Sequence, residues 1–137
     1  AYFVDFAVAM KEKVKIPLMV TGGFRRRDAM EQAIDSGGAD LIGLGRPMCV
    51  DTDAPAQLLE GLGELNRYEN QLALFPGWLA FLGRVKALRA VAGFAVQYWY
   101  YAQIDALGRE GSAQPEMSVL TATRLTMRLQ KKLLAGR

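Results

Sequence analysis

Residues 20–30, VTGGFRRRDAM, and residues 41–48, LIGLGRPM, carry the residue types in this chain best suited to chemistry. Each is a short apolar run that closes on glycine and is followed closely by arginine. A phosphate group needs several N–H donors aimed at one point, and the amides of a tight turn supply them when no side chain obstructs the approach. TGGF offers the amides of Gly22, Gly23 and Phe24, and GLGR offers those of Gly45 and Arg46. The Arg46 guanidinium would add a fixed charge with two-pronged geometry. A helix beginning just beyond the first turn would add its dipole and free amides. Either stretch alone reads as an ordinary turn that needs glycine. Together they read as one phosphate grip.

Two turns can share a phosphate only if the elements before them lie side by side. The run IPLMVT (16–21) is continuously apolar, which predicts a strand buried on both faces of a parallel sheet, and ADLIGLG (39–45) reads as a second buried strand. Between them RDAMEQAIDS places Met30, Ala33 and Ile34 at helical spacing, with Asp28 and Glu31 in the first turn and Gly37-Gly38 as the break after it. Before them, YFVDFAVAMKEKVK puts Phe3, Phe6, Ala7 and Met10 on one helical face. After them, DAPAQLLEGLGEL begins a helix with Pro55 near its start. The order α-β-α-β-α with short connections predicts parallel strands joined by right-handed crossovers. Both glycine turns then lie at the C-terminal ends of adjacent strands.

Composition narrows the classes. A chain of 137 residues with 51% hydrophobic and 23% charged residues should fold. Cys49 is the only cysteine, so no internal disulfide forms, and a reducing, cytoplasmic setting is expected. One Cys and no His cannot furnish a usual zinc site. The N-terminus has neither an initiator Met nor a signal-peptide pattern, and the chain is expected to begin inside something larger. Residues 1–70 hold 8 Lys/Arg against 11 Asp/Glu, and residues 71–137 hold 9 against 3. The basic half reads as a solvated helical surface in preference to a nucleic-acid or anionic-lipid site, and no nucleic acid is expected.

The span IPLMVTGGFRRRDAMEQAIDSGGADLIGLGRPMCVDTDAP resembles the C-terminal barrel segment of the old yellow enzyme family, the FMN-dependent NADH:flavin oxidoreductases. The shared pattern is a strand ending in Gly-Gly, a helix, GGAD, a strand ending in Gly-Arg-Pro and an Asp-containing turn. The resemblance covers roughly residues 1–65 and implies the fold class. It is α/β, with strands 7 and 8 of a (β/α)8 TIM barrel and their helices, followed by a helical extension over 66–137. It implies that Gly22, Gly23, Gly45 and Arg46 hold the FMN phosphate, as barrels of this type often do with the loops after strands 7 and 8. Phe24 matches an apolar position near the flavin edge.

The resemblance also implies what is missing. A whole barrel typically takes ~250 residues. The family's ring contacts, its substrate-anchoring His or Asn and its Tyr proton donor lie earlier in the barrel. No catalytic residue or metal ligand is therefore assigned to this chain. The implied intact enzyme uses NADH or NADPH as reductant and an electron-poor alkene as substrate. The implied partners are the missing N-terminal barrel units, in the same or another chain. By itself the chain is expected to be inactive. Another FMN barrel, such as a dienoyl reductase or trimethylamine dehydrogenase relative, is the runner-up among enzymes.

Single residues carry two readings each. Arg25 is the member of Arg25–Arg27 best placed to approach FMN, against solvated side chains at a helix start. Arg26 stands where a capping Ser or Thr is preferred. Cys49 is a redox thiol or, preferably, a small packed residue. Asp40 is read as structural, and Asp51 and Asp53 as serving a turn and a helix start.

The second half is helical and aromatic, with Trp78, Phe81, Phe94, Tyr98, Trp99, Tyr100 and Tyr101, a break at Pro76-Gly77 and a basic cluster of Arg84, Lys86 and Arg89. Packing on the barrel or on another subunit is preferred over a lipid interface. In the last segment Pro115 is expected at a helix start, with Ala122, Leu125, Leu129 and Leu133 as its stripe. A homo-oligomer and a membrane surface stay open as partners. The alternative function is a helical interaction or membrane-surface module attached to a remnant barrel fragment.

Overall fold

The computed structural model describes residues 3–74, 77 and 85–136. Pro76, Trp78, Phe81 and Arg84 lie outside the described residues, as does the side chain of Arg89. The chain divides into two compact units, Ala1–Arg67 and Tyr68–Arg137.

The first unit follows the α-β-α-β-α order: α1 (Val4–Lys11), β1 (Met19–Thr21), α2 (Arg27–Asp35), β2 (Leu41–Gly43), a 3-10 turn (Arg46–Cys49) and α3 (Ala54–Leu59). β1 and β2 are parallel, in the register Met19↔Leu41, Val20↔Ile42, Thr21↔Gly43. The strands are shorter than their apolar runs. At their start the Leu18 carbonyl accepts from Leu41 N (3.2 Å), the ladder bond that opens the Met19↔Leu41 pair, and also from Asp40 N (2.9 Å). Asp40 returns the contact by accepting from Leu18 N at 2.7 Å, and it pairs with Lys11 at the end of α1. One carboxylate thus ties α1, β1 and β2 together.

The expectation of strands buried on both faces is corrected. Val20 lies in a core with Ala7, Phe24, Met30, Ala33, Ala54, Leu58 and Leu65, and Ile42 packs against it. On the opposite face Met19 is 65% and Leu41 57% exposed. The helices of this unit cover one side of the sheet. Phe3 and Phe6 also stay exposed, lining an apolar groove of about 280 Å3 with Met10 and Met19.

In the second unit a 3-10 turn (Tyr68–Asn70) precedes α4 (Lys86–Glu110) and α5 (Val119–Ala135), which pack on each other. Ala95, Ala102 and Ala106 of α4 and Ala122 of α5 are buried, and such small side chains let helices approach closely. Trp99 is fully buried; its Nε1 donates to Met117 O at 2.7 Å, and its ring meets Tyr100 edge-on at 5.1 Å. α5 does not start at Pro115. Ser118 is its N-cap and accepts from Thr121 N at 3.1 Å, supplying the bond that a proline cannot. Among the described residues no helix is long and apolar enough to cross a membrane, and no cluster of three His, Cys, Asp or Glu side chains could hold a metal ion.

Candidate functional site

The register places the two glycine turns. Thr21 and Gly43 are the last paired residues, so Gly22-Gly23 and Leu44-Gly45 leave the sheet from neighbouring strand ends and at the same end. Parallel strands lie about 4.8 Å apart, which makes the two turns neighbours. Gly22 has φ +137° and Gly23 φ +71°, backbone conformations in which side chains are strained. A Cβ on Gly22 would meet the Phe3 ring at 3.0 Å, whereas a Cβ on Gly23 or Gly45 would project into open space. Among the described residues neither the Gly23 nor the Gly45 amide is engaged in a turn hydrogen bond. Arg46 is exposed and opens the 3-10 turn, with Pro47 buried beneath it. The donor set and the open space above two glycines are of the kind a phosphate requires.

The neighbouring residues depart from the sequence reading. The side chain of Phe24 is buried in the core, leaving its backbone to the turn. Arg25 is not solvated; it is 5% exposed, and its Nη1 donates to Phe24 O at 2.7 Å. Residues 25–27 run alongside 63–65, with Leu65 N donating to Arg25 O (2.8 Å) and Arg27 N to Gly63 O (2.9 Å). This explains why Arg26 can stand at the N-cap of α2 in extended conformation without a side-chain cap. Gly63 takes the amide of Arg27, and Asp28 Oδ1 accepts from Ala29 N at 2.7 Å. Those two amides of the α2 N-terminus are thereby committed within the chain. The segment GLGEL, read only as a helix tail, supplies this pairing; its glycines were the available signal.

Electrostatics assign structural roles to the remaining charges. The bond from Arg26 holds the Asp28 carboxyl below the ordinary carboxylate range. Arg27 donates through Nε to Glu31 at 2.8 Å and through Nη1 to the Leu58 carbonyl at 3.0 Å, closing the end of α3. The Asp40 carboxyl is lowered by its bonds from Lys11 and Leu18 N. Burial pushes the Cys49 thiol up, which disfavours the thiolate a redox role needs. Asp51 accepts a long bond from Asn66, and Asp53 precedes α3 without a side-chain cap.

No protein-family profile matches the chain, and no solved structure matches it. Three curated proteins do. NADH-dependent flavin oxidoreductase iliE of Hypocrea jecorina (strain QM6a) is 40% identical over 60 residues, covering 43% of this chain and 15% of that protein. NADH-dependent flavin oxidoreductase iccE of Talaromyces variabilis is 46% identical over 56 residues, 40% of this chain and 14% of the relative. NADH-dependent flavin oxidoreductase iliE of Neonectria sp. (strain DH2) is 47% identical over 55 residues, 39% of this chain and 7% of the relative. The matched stretch thus spans under one sixth of each relative's length. Over that stretch the chain is similar to NADH-dependent flavin oxidoreductases, the old yellow enzyme-like group that its two glycine turns resemble.

Proposed function

We propose that this chain supplies the FMN phosphate seat of an NAD(P)H-dependent flavin oxidoreductase of ene-reductase type, β1 and β2 being strands 7 and 8 of its (β/α)8 barrel. The observation that carries the reading is the Thr21↔Gly43 register, which sends the Gly22-Gly23 and Gly45-Arg46 turns off the same sheet end. The names of the three relatives favour a flavin and NADH. The exposed face of Met19 and Leu41 supports a place inside a larger sheet, because parallel sheets are normally covered on both sides.

Bound FMN supplies two-electron redox chemistry between NADH or NADPH and an electron-poor alkene such as an enone. The chain's own share is positional. The amides of Gly22, Gly23, Phe24 and Gly45 donate to phosphate oxygens, and Arg46 neutralises their charge. Fixing the phosphate fixes where the rest of the cofactor lies. No residue here is assigned a proton transfer. Further barrel units, in the same or another chain, provide the ring contacts and the substrate groups.

Titration with FMN and with riboflavin, which lacks the phosphate, tests the seat. The chain is expected to bind FMN weakly and riboflavin not at all, and Arg46→Ala to abolish the difference. Equal binding of both flavins, or an Arg46→Ala variant unchanged towards FMN, would sink the assignment. Turnover of an enone with NADPH by this chain alone would refute its purely positional role.

A further inference from the structure

Helix α5 carries Arg124, Arg128, Lys131 and Lys132 and no Asp or Glu over its 17 residues. One side, with Val119, Ala122 and Thr126, is buried, and Thr126 Oγ1 donates to Tyr98 O of α4 at 3.1 Å. On another side Leu120, Met127 and Leu134 recur every seven residues and are 47%, 56% and 73% exposed. At 1.5 Å per residue this row runs about 21 Å along the helix. The 3.6-residue period sets Arg124, Arg128 and Lys131 along one flank of the row and Thr123 and Gln130 along the other. The helix dipole accounts for cations in the last turn, but not for Arg124 in mid-helix or for the exposed apolar row.

We infer that this face of α5 docks on an anionic lipid surface. Leu120, Met127 and Leu134 enter the boundary between headgroups and acyl chains, and Arg124, Arg128 and Lys131 meet the anionic headgroups. A helical protein partner fits worse. A coiled-coil seam needs two apolar positions per heptad. Here the second position falls on Thr123 and Gln130 in one frame, or on Arg124 and Lys131 in the other. A second copy would set cationic rows against each other with no acid on α5 to pair them. A lipid surface demands no matching holes, and Arg and Lys stems can lie along it with their charges in the headgroups. The excess of 9 Lys/Arg over 4 Asp/Glu in residues 68–137 adds long-range attraction to the same surface. The inference does not depend on the flavin reading.

Co-sedimentation of the full chain with vesicles of equal parts phosphatidylcholine and phosphatidylserine tests it, with pure phosphatidylcholine as control. The chain is expected to pellet with the anionic vesicles only, and to be released by high salt. The Leu120→Gln/Met127→Gln/Leu134→Gln variant and the Arg124→Gln/Arg128→Gln/Lys131→Gln variant should each lower partitioning by at least about tenfold. Because these positions are exposed, the α4–α5 pair should keep the blue-shifted emission of buried Trp99. Equal binding to neutral vesicles, no binding to anionic ones, or anionic binding unchanged in both variants overturns the proposal. So does preference for soluble polyglutamate over the vesicles, which would assign the face to an acidic protein.

Discussion

A methyl group on Gly43 would overlap the Thr21 hydroxyl across the sheet and lie 3.0 Å from Thr21 Cβ. These two residues are register partners and the last pair before both candidate phosphate turns. Glycine at 43 is therefore a packing requirement imposed by Thr21. Gly43→Ala should cost about 1–3 kcal/mol, the usual range for overpacking. Hydrogen exchange at the β1 and β2 amides should report it as faster opening. Adding Thr21→Ala removes the hydroxyl but leaves Cβ, so the double variant should recover part of the loss. Full recovery, or a silent Gly43→Ala, would contradict the close approach.

Asp40 predicts a pH dependence. Its folded pKa is lowered chiefly by the bond from Lys11, then by that from Leu18 N. A carboxylate whose folded pKa lies below its unfolded value contributes stability above the unfolded value, and this is lost as pH falls through the folded one. Asp40→Asn should therefore destabilise the chain near neutral pH, and the difference from wild type should vanish in acid below the lowered pKa. Carboxyl NMR titration should find Asp40 below the ordinary carboxylate value. A normal titration would dissolve the link between α1, β1 and β2.

The glycine turns and the parallel strand order were legible because short apolar runs alternate with helical spacing and tight turns write glycine. Strand length was not: at the strand start the Asp40 side chain takes up Leu18 N, a contact between segments distant in sequence. Arg25 was read as solvated or cofactor-facing because three arginines in a row normally face water. It is buried where residues 25–27 run against 63–65, a pairing between segments nearly forty positions apart that no local pattern announces. Ser118, not Pro115, starts α5, because a proline has no side-chain oxygen to accept the Thr121 amide. The two turns of the proposed seat, with Gly22, Gly23, Gly45 and Arg46, stood out by residue type and spacing, and the register sends both off the same end of the sheet.

Trp99 should anchor the α4–α5 pair. It is fully buried, donates to Met117 O and packs edge-on against Tyr100. Trp99→Phe keeps an aromatic ring but removes the indole N–H and some volume, and Trp99→Ala leaves a cavity. The alanine variant should lose about 3–5 kcal/mol and the phenylalanine variant less. Thermal unfolding followed by circular dichroism would rank them. Equal stability of wild type and Trp99→Ala would show that the helix pair is held elsewhere.

Gly23 and Gly45 separate folding from binding. Both have open space where a Cβ would stand, but only Gly23 has positive φ, at +71°. Alanine at 23 should cost about 1–2 kcal/mol through its backbone alone. Alanine at 45, where φ is −102° and ψ −92°, also stands outside the favoured helical and extended regions and should carry a backbone cost of its own. If the open space above Gly45 receives a phosphate, however, the new methyl stands between the ligand and the amides. Gly45→Ala should then weaken FMN binding in titrations made well below the unfolding midpoint, where the variant is fully folded. Wild-type FMN affinity in that variant would mean that this turn serves the fold and not the cofactor.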